Sequence, residues 1–269
     1  MEYIDFHTHI FPDKVAPKAI GKLVQTSGIT PFTDGTLSDT MAKMELCGVD
    51  RFVCLNIATS PGQEPTINRV ASEVTKQHPG KILSLGSIHP RYEHWESELE
   101  RIASLDLPGI KLHPDYQGFM IDDESVFPIY EICARLGLFI VFHAGWDCYS
   151  PDFIHATPEA SAKVAEAFPR LKMVLAHFGG LRRWEEVDQY LIGRENVYFD
   201  TAMCATDGLD RQFIAKMLAC HPAENVFMGS DCPWEDPRKS IFYIDSLPIS
   251  DDRKEKIYSG NALRFLGWK

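Results

Sequence analysis

Residues 3–13 read YIDFHTHIFPD. A short apolar run, Tyr3 to Phe6, has the length of a strand and ends in His7-Thr8-His9. A doubly wound α/β sheet would carry a glycine-rich phosphate loop after its first strand. Neither GxGxxG nor GxxxxGK[ST] stands in that place here. The chain instead presents two histidines where a βα loop begins, and this decides between the two common βα-alternating architectures.

The pattern of an apolar run closed by a polar residue recurs along the chain. Strands are expected at 3–6, 51–57, 82–88, 109–112, 138–142, 171–176, 196–199 and 225–229. These runs are brief and nearly continuous in apolar residues, as in parallel strands covered on both faces. Helical patterns are expected between them, at about 64–78, 93–105, 124–136, 158–168, 183–192, 209–220 and 239–258. An earlier one, LSDTMAKMELCGVD at 37–50, has Asp39 as its expected cap and Gly48 as its stop. After a first gap of about 49 residues, strand centres fall roughly 24 to 33 residues apart, the size of one βα unit. The wide first gap leaves room for an extra helix or loop at 11–38. Eight βα units predict a (β/α)8 TIM barrel, here one domain over 1–269.

Composition agrees. The 269 residues are 45% hydrophobic and 24% charged, which excludes disorder, collagen and coiled coil. No apolar run approaches the roughly 18 residues of a membrane helix, and the opening MEYIDFHTHI does not read as a signal peptide. A net charge of −11 disfavours nucleic acid and anionic membranes as partners. Seven cysteines without a CxxC pair read as reduced thiols, and a cytoplasmic location is expected. A small-molecule substrate is the expected partner. A homodimer is compatible with the fold.

The ten histidines are the informative residues. Residues two apart in a strand share a face, so His7 and His9 can hold one cation together. Alone the pair is weak, since chance yields roughly 0.4 HxH matches in a chain with this histidine content. The context strengthens it. Lys111 and His113 close the fourth run (GIKLHPD), His143 the fifth (FIVFHAG), His177 the sixth (MVLAHFGG) and Asp231 the eighth (VFMGSDCPW). In a parallel barrel these positions meet at one rim, where active sites lie. Taken singly, a strand-end histidine is a hydrogen-bonded structural residue and a strand-end aspartate a helix cap. Jointly they form a metal site. Imidazole with carboxylate suits Zn²⁺, Mn²⁺ or Fe²⁺ rather than Ca²⁺ or Mg²⁺, and Zn²⁺ leads that choice.

HxH, Lys, His, His and Asp in this strand order resemble the metal-dependent amidohydrolase superfamily. GIKLHP, HFGG, GSDCPW and the tail GNALRFLGW are similar to its amidohydrolase-related branch. That branch includes nonoxidative decarboxylases similar to aminocarboxymuconate-semialdehyde decarboxylase. The resemblance implies that His7, His9, His143 and Asp231 hold the more buried metal. It implies that Asp231 also takes the proton of the attacking water. It implies that His177 either binds a second metal or orients water and polarises the substrate. Lys111 is a carboxylated bridge between two ions in some members and no bridge in others; one ion is expected here, two if Lys111 is carboxylated. The activity expected first is hydrolysis of a small amide, ester or lactone by a metal-activated water. The alternative is nonoxidative decarboxylation of a small unsaturated or aromatic acid. A third reading is a barrel that binds metal without catalysis.

The βα loops supply the substrate contacts. His113 either reaches the substrate or supports its loop. Tyr116, Trp146 and Trp234 are candidates for an apolar wall, and Arg182 for a carboxylate anchor. Asp5 reads as barrel interior behind the ligands. His78, His89, His94, His155 and His221 read as structural or surface residues, with His89 the least certain of them.

Overall fold

The computed structural model describes residues 1–268. Eight strands follow in chain order: β1 (Ile4–Thr8), β2 (Arg51–Leu55), β3 (Ile82–Ser87), β4 (Gly109–Leu112), β5 (Phe139–Phe142), β6 (Met173–Leu175), β7 (Val197–Asp200) and β8 (Val226–Phe227). Each pairs with the next in parallel, in the order β1 to β8. The seam between the last and the first is closed by backbone bonds. Phe6 N donates to Met228 O at 2.8 Å, Asp231 N to His7 O at 2.9 Å, and His9 N to Cys232 O at 2.6 Å. This is the expected (β/α)8 barrel.

Helices fill the intervals: α1 (Ala16–Ser27), α2 (Leu37–Leu46), α3 (Glu64–Gln77), α4 (Trp95–Ser104), α5 (Pro114–Gln117), α6 (Phe127–Leu136), α7 (Pro158–Ala167), α8 (Trp184–Tyr190), α9 (Arg211–Cys220), α10 (Pro237–Asp245), α11 (Asp251–Glu255) and α12 (Asn261–Leu266). The wide first interval holds α1. Two expectations need correction. The cap of α2 is Thr36, whose Oγ1 accepts from Asp39 N at 3.2 Å, so Asp39 stands in the first turn. The helix expected at 239–258 is broken after Asp245. Pro248 lacks the N–H that a helix interior requires, and its ring pushes Leu247 out of the helical region. Ser250 then caps a new start at α11.

Alternation along the strands divides the core into two layers. Phe52, Cys54, Ile82, Ile110, Leu112 and Ile140 face the helices. Val53, Leu55, Leu83, Leu85, Val141 and Val174 fill the barrel. The interior is floored by aromatic rings. Phe6 stacks on Phe227 at 4.2 Å between centroids, and Phe265 from α12 meets Phe139 at 4.8 Å and Phe227 at 5.1 Å. Helix α12 thus stoppers the bottom and leaves the top, where the strands terminate, open to polar groups.

Candidate metal centre

The β1 ladder shifts register between Asp5 and Thr8. Simple alternation would turn Phe6 and His7 to opposite faces. With the irregularity both serve the interior: Phe6 packs into the floor, and His7 reaches Asp200 at the end of β7. Asp5 is fully buried at the seam. It accepts from His7 N at 3.1 Å and from Ser230 N and Oγ at 3.0 and 2.5 Å, so it ties strand ends together.

Three donor atoms converge above this point. His7 Nε2 lies 3.1 Å from His9 Nε2 and 3.2 Å from Asp231 Oδ1, and His9 Nε2 lies 3.1 Å from the same oxygen. Donors about 2.1 Å from one ion stand roughly 3.0 Å apart at right angles and roughly 3.4 Å apart at the tetrahedral angle. The triangle falls between those limits. The far side of each ring explains why the near side is bare. His7 Nδ1 donates to Asp200 Oδ2 at 2.8 Å, and His9 Nδ1 to Leu55 O at 2.8 Å. With those protons placed, both Nε2 atoms carry lone pairs toward each other and toward a carboxylate. Such an arrangement repels itself unless a positive charge sits among the three atoms.

The titration directions say the same. Burial works against a charged His7, yet Asp200 and Asp231 outweigh it and lift His7 to about 9. A proton there does the neutralising that a cation would do. Burial opposes ionisation of Asp231, but the charge of a protonated His7 holds it well below the usual carboxylate range. Burial lowers His9 and, more strongly, His143, and it lowers His177 to about 4, keeping these rings neutral as ligands must be. The residues therefore fit a divalent transition ion.

His143 and His177 form a second pair of donors beside the triangle. His177 Nε2 lies 3.1 Å from His143 Nδ1, while His177 Nδ1 faces Ala202 O at 3.2 Å. The His177 ring lies 5.2 Å from the His7 ring between centroids. Both His177 and Asp231 occupy the left-handed region, at φ 58° and 68°. Non-glycine residues in such conformations store strain and gather at functional sites. Lys111 is wholly buried, and its Nζ has no hydrogen-bond partner. Burial lowers it to about 8, against the opposing pull of Asp200, Asp231 and Asp147.

The loops close around these groups. His113 stacks flat on His143 at 4.2 Å and on Tyr116 at 3.7 Å, giving a three-ring ladder along one side. Trp146 carries the Arg182 guanidinium on its face at 3.8 Å. Arg182 also gives Nε and Nη2 to Asp207 Oδ1 at 3.0 and 2.7 Å. Asp207 thus takes the Nε and Nη2 groups of the residue expected as a carboxylate anchor. Trp234 is half-buried against the core, its N–H bonded to Asp231 O at 2.8 Å.

Sequence reasoning missed Asp200. It ends β7 as the expected ligands end theirs, after the apolar VYF, but the strand was expected to stop one residue short. It also passed over the linkage of His155, whose Nδ1 lies 2.9 Å from Asp115 Oδ1.

The comparisons with known proteins agree with the geometry. The amidohydrolase family model matches residues 4–268. The chain is 27% identical over 243 residues to 2-amino-3-carboxymuconate-6-semialdehyde decarboxylase of Dictyostelium discoideum, covering 75% of this chain and 65% of that protein's length. The crystal structure of 5-carboxyvanillate decarboxylase from Sphingomonas paucimobilis superposes with a TM-score of 0.75 at 19% identity, covering 100% of this chain and 99% of the other. The enzyme of that name from Novosphingobium aromaticivorans, solved with manganese and 4-hydroxy-3-methoxy-5-nitrobenzoic acid, superposes at 0.73 with 15% identity, covering 99% and 96%. A barrel with histidine and aspartate donors at its strand ends, matched by the family model from its first strand to its last helix, belongs to the amidohydrolase family.

Proposed function

We propose that this protein is a divalent-metal-dependent nonoxidative decarboxylase of a small aromatic or unsaturated carboxylic acid. The observation that carries the metal dependence is the triangle of bare donors on His7, His9 and Asp231. The choice of reaction rests on the likeness to decarboxylases, which reverses the order expected from the ligand set alone. Zn²⁺ is the leading candidate and Mn²⁺, the ion bound in one relative, the next.

A bound divalent ion supplies a positive centre that polarises a substrate oxygen. Asp231, held ionised beside His7, is the group placed to take a proton from water or a substrate hydroxyl and return it to carbon. The carbon–carboxylate bond then breaks, CO₂ leaves, and the proton stands in its place. His177, with its proton on Nδ1 toward Ala202 O, presents a bare Nε2 beside the triangle, placed to hold a cation next to the substrate. The flat ladder of Tyr116, His113 and His143 offers a wall to a planar acid. Hydrolysis of an amide, ester or lactone would draw on the same residues, with Asp231 passing its proton to a leaving group.

A panel of aromatic carboxylates, unsaturated diacids, lactones and acylamides, assayed with CO₂ detection on protein loaded with Zn²⁺ or Mn²⁺, separates the two. CO₂ released in step with a decarboxylated product is expected. Turnover of a lactone or amide with no CO₂ from any acid would replace this reading by hydrolysis.

A further inference from the structure

Each ring that meets the metal donors has a partner for its outer nitrogen except one. His7 uses Asp200, His9 uses Leu55 O, and His177 uses Ala202 O. His143 Nε2 is buried without a hydrogen-bond partner. Two carboxylate oxygens face it: Asp147 Oδ2 at 3.6 Å and Asp115 Oδ2 at 4.0 Å, the latter itself buried and unpartnered. These distances exceed a hydrogen bond, but a closure of about 0.7 Å would make one to Asp147.

The placement of the His143 proton follows from electrostatics. A bare Nε2 lone pair facing two carboxylates would be repelled by both. An N–H there is attracted by both, and it leaves Nδ1 bare toward His177 Nε2, 3.1 Å away among the donors. His113 obeys the same rule. Its Nδ1 accepts from Tyr116 N at 3.4 Å, so its proton is on Nε2, which faces Asp147 Oδ2 at 3.7 Å. Two stacked imidazoles thus aim their N–H groups at one oxygen. The other oxygen of that carboxylate, Asp147 Oδ1, is pinned by Tyr149 N at 2.6 Å. Asp147 is therefore oriented by its own loop with one oxygen left for the two rings. Asp115 is held behind it by Ser150 Oγ at 2.5 Å and His155 at 2.9 Å.

We infer that Asp147 is the positioning residue for His143: it holds the Nε2–H tautomer, so that Nδ1 faces the metal, and it locks the His113 ring in the same stack. Nothing in the strand-end pattern assigns Asp147 this part. The inference rests on the metal centre, not on which reaction the centre performs. A carboxylate that orients a metal histidine is worth roughly 10- to 100-fold in metal affinity.

The test uses the full chain and Zn²⁺ in competition with a chromophoric chelator. Asp147→Asn is expected to weaken Zn²⁺ roughly 10- to 100-fold while circular dichroism and thermal unfolding of the stripped protein stay close to wild type. Long-range ¹⁵N–¹H spectra of histidine-labelled, Zn²⁺-loaded wild type are expected to show His143 protonated on Nε2, and this arm needs no variant to fold. Unchanged Zn²⁺ affinity in a folded Asp147→Asn protein, or His143 protonated on Nδ1, overturns the assignment. A wild type that binds no Zn²⁺ or Mn²⁺ overturns the metal centre itself, which distinguishes the two failures.

Discussion

Asp200 shows how much one side chain can govern here. Its Oδ2 takes the His7 ring proton, and its Oδ1 accepts the backbone N–H groups of His177 and Ala202 at 3.0 and 3.1 Å. One carboxylate therefore sets the tautomer of a ligand from β1 and the loop bearing a donor from β6. Asp200→Asn offers an amide that cannot accept at every position, and it removes the charge that favours a cation nearby. We expect it to weaken Zn²⁺ roughly 10- to 100-fold in chelator competition; affinity within about 3-fold of wild type would deny it this part. His7 supplies a pH signature. Its folded value, about 9, lies above the ordinary 6.5. The stability it contributes to metal-free protein is full below about pH 6.5 and is lost as pH rises through about 9. Lys111, lowered to about 8, pulls the other way only above that pH. Between pH 7 and 8, stripped protein is expected to lose stability by up to about 1.4 kcal/mol per pH unit. Saturating Zn²⁺ should flatten the slope, because the ion replaces the proton. Urea titrations at three pH values, with and without metal, read this directly.

At the scale of elements, the candidate ligands were legible wherever an apolar run stopped on a polar residue. His143 after FIVF and His177 after MVLA stand out because the run before each is wholly apolar. Asp231 was legible for the same reason, and all three lie in the site. Asp200 carries the same signature and was hidden only by placing the end of β7 one residue early. The parts of Asp147, Asp115 and His155 were not legible at all. They sit on loops, where no period ties position to direction, and their meaning depends on rings contributed by other loops. Pro248 was legible and was passed over. Gly145 marks where two loops must touch. Its φ is +90°, and a Cβ built on it would stand 2.0 Å from Leu181 N. The β5 and β6 loops bridge there, between Gly145 and Leu181. Gly145→Ala is expected to cost at least ~2 kcal/mol in urea unfolding and to weaken metal binding by displacing His143. A variant as stable as wild type would show that the loops can part without harm.

The whole molecule separates its two ends. The candidate metal donors gather at the strand C-termini, while the floor is aromatic and apolar. Phe265→Ala is expected to lower stability by about 3 kcal/mol through the cavity it opens. Its Zn²⁺ affinity should stay unchanged, since no metal donor touches that ring. Metal affinity falling together with stability would mean that floor and rim are coupled. Eight strands were legible as a barrel because the runs recur as eight βα units and no glycine-rich loop follows the first. Among the described residues no helix is long and apolar enough to cross a membrane.

The stopper at the bottom bears on how the protein is made. Synthesis delivers β1 more than two hundred residues before its seam partners, Met228 and Cys232, and Phe265 follows later still. Until then the nascent chain carries Ile4 and Phe6 on an unpaired edge, with the cylinder unsealed. The ring of strands can close only after the segment to Cys232 has left the ribosome. A growing chain would have to shield that edge until then, and a chain stalled or cut short of α12 would keep the lumen open from below.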